Sequence, residues 1–209
     1  MLHNPVNDQL SRIWQYMYEG VNRANYMIEN KDLIDFPRKD EMYGEVHFLR
    51  AFFYFELVKI YGDVPLFTNG RLTAGDSGTL TRVPKSEVYA VIESDLNSAI
   101  SALPAQKSTD GRATSFTAHA LLGKVYLYQQ KYAEAANILE PLVGLYTLPS
   151  DPGSVFLVSG ENGPEAVFEI QHSKESNGWN WGWMPQSTEG NFGVIHHGIR
   201  GYSGPTYSS

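Results

Sequence analysis

Apolar residues recur every three or four positions through the first two-thirds of the chain. Leu10, Ile13, Trp14, Met17, Val21, Ala24 and Ile28 have the spacing of an amphipathic helix, and Asn7 or Asp8 is placed to cap it. A polar loop with Pro37 follows. Val46, Leu49, Phe53, Leu57 and Ile60 predict a second long helix, opened by Asp40 and closed by Gly62. Residues 63–84 are rich in glycine and proline and read as a connecting excursion. After Ser86, Val88, Ile92, Leu96, Ile100 and Leu103 repeat the helical stripe, and Pro104 ends it.

Beyond Gly111 the pattern predicts a helical hairpin. Ala118, Leu121, Leu122, Val125 and Tyr128 form one apolar face, and Tyr132, Ala135, Ala136, Leu139 and Leu142 the next. Pro141 removes a backbone donor and clashes with the preceding turn, so the second helix should kink or end near Leu139. Leu122, Gly123 and Tyr126, followed by Tyr132, Ala135 and Leu139, reproduce the large, small and aromatic positions of a tetratricopeptide repeat. The other helices match that pattern only loosely. From Tyr146 onward helical periodicity disappears. Val155–Val158 and Ala166–Ile170 read as short strands or extended segments, and seven glycines lie between Gly178 and Gly204. A stretch that long without periodicity is a functional loop or a disordered one.

The expected fold is therefore mainly α, with tetratricopeptide-like hairpins over 1–146 and an irregular, loop-rich region with short strands over 147–209. Composition narrows the function. A formal net charge of -7 and the lack of any basic stripe argue against a nucleic-acid partner, because phosphate binding depends on clustered Lys and Arg. Zero cysteines exclude thiol catalysis and thiolate metal sites. The most apolar stretch, Phe48–Ile60, is interrupted by Arg50, Glu56 and Lys59, too short and too charged to cross a bilayer. The first nine residues have neither the basic region nor the apolar core of a signal peptide. Aromatic residues make up 13% of the chain, a high share that calls for a use.

The segment Phe48–Leu66, FLRAFFYFELVKIYGDVPL, resembles the most recognisable stretch of the SusD/RagB family, a Leu-Arg-Ala-aromatic helix running into Tyr-Gly-Asp-Val-Pro-Leu. Matches in the family's order are Trp14–Asn25 with its Ala24-Asn25 pair, Arg82–Pro104, Gly111–Leu139, and Ala166–Gln171, AVFEIQ. The resemblance implies a SusD-like α/α superhelix. It also implies a lipid-anchored protein on the outer face of a Gram-negative outer membrane, which captures oligosaccharide or another nutrient and caps a SusC-like TonB-dependent porin. Family members are about twice this long, so it further implies that residues 1–209 are an internal portion. Such a portion would lack the lipoprotein signal and its anchor, and would expose apolar surface where the remainder packs. Arg50, mid-helix among aromatics, is expected to be paired and structural.

Trp179, Trp181 and Trp183 alternate with Asn180 and Gly182, so an extended backbone places three indoles on one side. Sugars stack their C–H faces on indoles while amides satisfy their hydroxyls, and Asn177, Asn180 and Gln186 supply amides. The competing reading lays these tryptophans flat on the helical core. Trp14, on the stripe of the first helix, is assigned to core packing. His196 and His197 are adjacent, which points them apart on any regular element and disfavours a shared metal. Gly75, Asp76, Ser77 and Gly78 mimic a serine-nucleophile loop, but His119 follows them on a predicted helix, against the order and fold of the chymotrypsin arrangement. Glu161, Glu165, Glu169, Glu175 and Glu189 could furnish a glycosidase pair, yet nothing in the sequence fixes their separation. The leading expectation is a non-catalytic nutrient binder without cofactor or metal. The alternatives are a helical-repeat scaffold for protein partners and a glycoside hydrolase.

Overall fold

A computed structural model describes residues 8–171 of the chain, apart from Arg71, Thr79, Lys107 and Ser108. The chain divides into Met1–Phe168 and Glu169–Ser209. In the second unit the description reaches Gln171, whose Nε2 donates to the Glu169 carbonyl at 3.3 Å.

Among the described residues of the first unit, five α-helices pack in sequence order, each on the one before it: α1 (Asp8–Glu29), α2 (Lys39–Tyr61), α3 (Lys85–Ala102), α4 (Ser115–Tyr128) and α5 (Tyr132–Leu139). Helices α1 and α2 run antiparallel, since the Tyr61 hydroxyl at the end of α2 donates to the Leu10 carbonyl at the start of α1. They approach closely at Gly20, where any Cβ would overlap the Phe53 ring. The α4–α5 pair repeats the device. A Cβ on Gly123 would lie 2.5 Å from Leu139 Cδ2, so these two tetratricopeptide positions meet; Ala135, a third, is buried, whereas Tyr132 is exposed.

Much of the predicted stripes forms the core, but on the α4–α5 hairpin Tyr128, Tyr132 and Ala136 are exposed. Val21, Leu57, Ile92, Leu96, Leu122 and Val125 are fully buried. On α2 the predicted stripe is only partly right, because Leu49 and Ile60 are exposed. This helix lies between α1 and α3 and buries Ala51, Tyr54, Phe55 and Val58 as well, more than a single stripe can supply.

Local chemistry sets the helix ends. Gly62, at φ +69°, closes α2 and donates its N–H to the Val58 carbonyl at 3.1 Å; positive φ is the conformation glycine adopts without steric cost. Helix α4 opens on a capping box in which Thr114 and Thr117 each take the other's backbone N–H (3.1 and 3.2 Å). Helix α5 stops at Leu139 and tightens into a 3-10 turn over Glu140–Leu142, as Pro141 predicts.

Val155–Val158 does not form a strand. Pro152–Phe156 and Val158–Gly160 are 3-10 turns. Asp151 nucleates the first: its Oδ1 accepts the Gly153 N–H at 2.8 Å and its carbonyl accepts the Ser154 N–H at 3.1 Å. A lone extended segment would leave its backbone groups without ladder partners, and local turns satisfy them instead. Ala166–Ile170 adopts no regular element. Within it, Val167 accepts from Thr117 Oγ1 at 3.3 Å, and Phe168 sets its ring edge-on to Phe48 at 5.5 Å.

The stretch from Leu127 to Val158 leaves many large apolar side chains in solvent. Val143, Leu148, Phe156 and Val158 are each at least 80% exposed, far more than scattered surface residues on an ordinary monomer. Among the described residues, no helix is long and apolar enough to cross a membrane.

Candidate functional site

The Tyr-Gly-Asp-Val-Pro-Leu segment is the first leg of the excursion between α2 and α3, and almost every residue in it has a structural task. Asp63 Oδ1 accepts the Lys85 N–H at 2.8 Å, which caps α3 from outside because Pro84 at its N-cap has no side chain able to do so. Val64 is fully buried and pairs with Val83. That pair and Pro65 with Arg82 join β1 (Val64–Pro65) to β2 (Arg82–Val83) in an antiparallel ribbon. Arg82 donates to the Asp63 carbonyl at 2.7 Å. The ribbon closes the excursion at its base.

Buried and half-buried side chains of α1 and α2 then fasten the loop that follows. Tyr18 donates to the Pro65 carbonyl at 2.7 Å. Tyr54 donates to the Phe67 carbonyl at 2.6 Å and accepts the Phe67 N–H at 3.1 Å. Asn25 Nδ2 donates to the Phe67 carbonyl at 3.0 Å, and Asn22 Oδ1 accepts the Leu72 N–H at 2.8 Å. Burial pushes both phenols, Tyr18 and Tyr54, well above the usual tyrosine range, which keeps them neutral and able to donate.

Arg50 sits at the centre of this arrangement. Its Nε and Nη2 each donate to Asp95 of α3 at 2.7 Å, a bidentate pair, while Nη1 donates to Asn25 Oδ1 at 2.8 Å and to the Thr68 carbonyl at 3.2 Å. His47 Nδ1 lies 2.7 Å from Asp95 Oδ1. Arg50, Asp95 and Asn25 are all buried, and each charge has its partner, with further hydrogen bonds from Arg50 to Asn25 and Thr68. The expectation of a structural arginine holds. Its counter-ion was also readable: Asp95 falls between Ile92, Leu96 and Ala99 on the buried stripe of α3, where an isolated carboxylate would be costly.

Between α1 and the fastened loop lies an open cleft of about 410 Å³. Trp14, Tyr18 and Phe67 line it with Pro65, Leu72 and Leu80. The aromatic wall is internally packed. Trp14 meets Tyr18 at 4.8 Å between ring centroids and Tyr61 edge-on at 5.0 Å, Tyr18 stacks on Phe67 at 5.8 Å, and the Arg82 guanidinium lies over the indole at 6.0 Å. Trp14 does pack against the core, as expected from its stripe, but it is also a wall of this cleft, which periodicity alone does not reveal.

The sequence-predicted ligand residues Trp179, Trp181, Trp183, Asn177, Asn180 and Gln186 lie outside the described residues, as do His196, His197, Glu175 and Glu189. The apparent serine-nucleophile loop is a 3-10 turn over Ala74–Gly78 in which Asp76 Oδ2 accepts from the Thr73 N–H and hydroxyl. His119 Nδ1 lies 2.7 Å from the Ser115 carbonyl of its own helix. Among the described residues, no group of three or more His, Asp or Glu side chains is arranged to hold a metal ion.

Comparison with known proteins agrees with this architecture. A SusD-like family model, described as "Starch-binding associating with outer membrane", matches residues 2–127, more than half of the chain. A SusD-like protein of Formosa agariphila is 30% identical over 178 residues, covering 79% of this chain and 35% of its own. One from Bacteroides ovatus is 32% identical over 128 residues, covering 58% and 23%. Among solved structures, a laminarin-binding SusD-like protein is 34% identical with a TM-score of 0.74, over 81% of this chain and 39% of that one. A SusD-like protein from Bacteroides fragilis is 33% identical with a TM-score of 0.71, over 80% and 34%. The chain thus spans about a third of the length of the first relatives it matches. With a family model matched over more than half of its length, and helices that superpose on solved SusD-like structures, the chain belongs to the SusD-like family.

Proposed function

We propose that this chain is the helical platform of a non-catalytic surface lipoprotein that holds oligosaccharides and passes them to a TonB-dependent outer-membrane transporter. The observation that carries the reading is the family match over residues 2–127, whose description joins starch binding to the outer membrane. The likeness to a laminarin-binding protein supports a glucan as ligand. In this reading the indoles of Trp179, Trp181 and Trp183 give the sugar rings apolar faces. Asn177, Asn180 and Gln186 exchange hydrogen bonds with the hydroxyls, and no ionisable pair is needed because no bond is broken. A lipid anchor would hold the protein at the cell surface, and the helical hairpins would face the transporter.

Affinity should be modest, since such surfaces are solvated and each sugar hydroxyl exchanges water for protein. Titrating the chain with oligosaccharides from starch and laminarin, followed by tryptophan emission, should give a saturable change for at least one series. Flat responses across both series would overturn the glucan reading.

A further inference from the structure

We propose that the cleft between α1 and the Pro65–Leu80 wall is a carbohydrate subsite of its own, sized for one or two neutral sugar rings and separate in sequence from the tryptophan-rich tail. The inference rests on the glycan-binding function proposed above. Its volume, about 410 Å³, falls within the roughly 300–1,000 Å³ of small-molecule sites.

The cleft is built rather than left over. Tyr18 and Asn22 line it from α1, and the same two side chains hold the opposite wall through the Pro65 carbonyl and the Leu72 N–H. Tyr54, Asn25 and Arg50 hold Phe67 and Thr68 from behind. Both walls are therefore fixed before a ligand arrives, which removes the ordering cost that weakens binding by mobile loops.

Its chemistry selects the ligand. The interior is mostly carbon, from Trp14, Phe67, Leu72 and Leu80, whereas Gln15 and Glu19 stand exposed beside it on successive turns of α1. A sugar ring divides itself in the same way, with C–H groups for the walls and hydroxyls for the Gln15 amide and for Glu19 Oε2, the carboxylate oxygen not engaged by Arg23, at the mouth. An anionic ligand is disfavoured. The nearby cations are committed, Arg23 to Glu19 and Arg82 to the carbonyls of Tyr61 and Asp63. A bare apolar ligand would leave the mouth groups without a role.

The test uses the whole 209-residue chain. Changing Trp179→Phe, Trp181→Phe and Trp183→Phe together leaves Trp14 as the only indole and makes it a reporter of the cleft. With the two glucan series as probes, that variant should show a saturable change in emission. Adding Gln15→Ala and Glu19→Ala, both exposed and outside the core, should weaken the response about three- to tenfold, as expected for losing one or two hydrogen bonds at the mouth. If the unmodified chain binds glucan but Trp14 emission in the reporter variant never responds, or responds equally with both mouth residues removed, the subsite is overturned and the glycan-binding reading stands. If the unmodified chain binds neither series by any readout, both fall together. Unchanged circular dichroism of each variant ensures that a lost signal reports the cleft and not the fold.

Discussion

A single buried arginine explains several otherwise unrelated features of the sequence. Arg50 links α2 to α3 through Asp95, to α1 through Asn25 and to the excursion through the Thr68 carbonyl, so the Leu-Arg-Ala segment and the Ala24-Asn25 pair belong to one network. Removing one member of a buried ion pair leaves an uncompensated charge, at a cost of about 3–5 kcal/mol. Arg50→Met should accordingly lower the urea midpoint by that equivalent, while Arg50→Met with Asp95→Leu should recover most of the loss, because a well-packed apolar pair can replace a buried ionic one. A single variant as stable as the parent would show that the network contributes little. The arginine's burial was legible from its aromatic neighbours. Its hold on Thr68 was not, because a bond to a loop carbonyl leaves no trace in side-chain periodicity.

At the scale of elements, the helices were readable and the excursion was not. Period gave α1 to α5 to within a few residues, since each helix buries a face, and Gly62, Pro104 and Pro141 mark where α2, α3 and α5 stop; Asp40, expected to open α2, instead lies inside its first turn, behind Arg38 at the N-cap. The two-residue ribbon of β1 and β2 is too short to show alternation, and Asp63 caps a helix 22 residues away in sequence, beyond any local signal. Val155–Val158 misled for a related reason: a short apolar run does not separate a strand from a tight turn, and Asp151 and Pro152 decide for the turn. The α4–α5 contact makes an element-level prediction. In a solvated helix Gly123→Ala would gain about 1 kcal/mol, but here the new methyl meets Leu139 at 2.5 Å, and overpacking costs roughly 1–3 kcal/mol. Thermal melts should show Gly123→Ala destabilising in the parent and neutral or stabilising in a Leu139→Ala background. Equal effects in both backgrounds would mean that Leu139 moves aside freely.

For the whole molecule, the described residues form a helical platform with two different surfaces. One carries the fastened excursion and its aromatic cleft. The other, from Leu127 to Val158, exposes Val143, Leu148, Phe156 and Val158. Fold and family were legible because core stripes and the Phe48–Leu66 segment are local in sequence. The cleft was not, since it brings Trp14 and Gln15 beside Phe67 and Leu80 through long-range packing. The proposed function requires this platform to bind oligosaccharide without cleaving it. Isothermal titration of the chain with glucan oligosaccharides, followed by chromatography of the recovered ligand, tests both halves at once. Saturable heat with every oligosaccharide recovered at its original length is the predicted result; no heat from any of them, or the appearance of shorter chains, would contradict it.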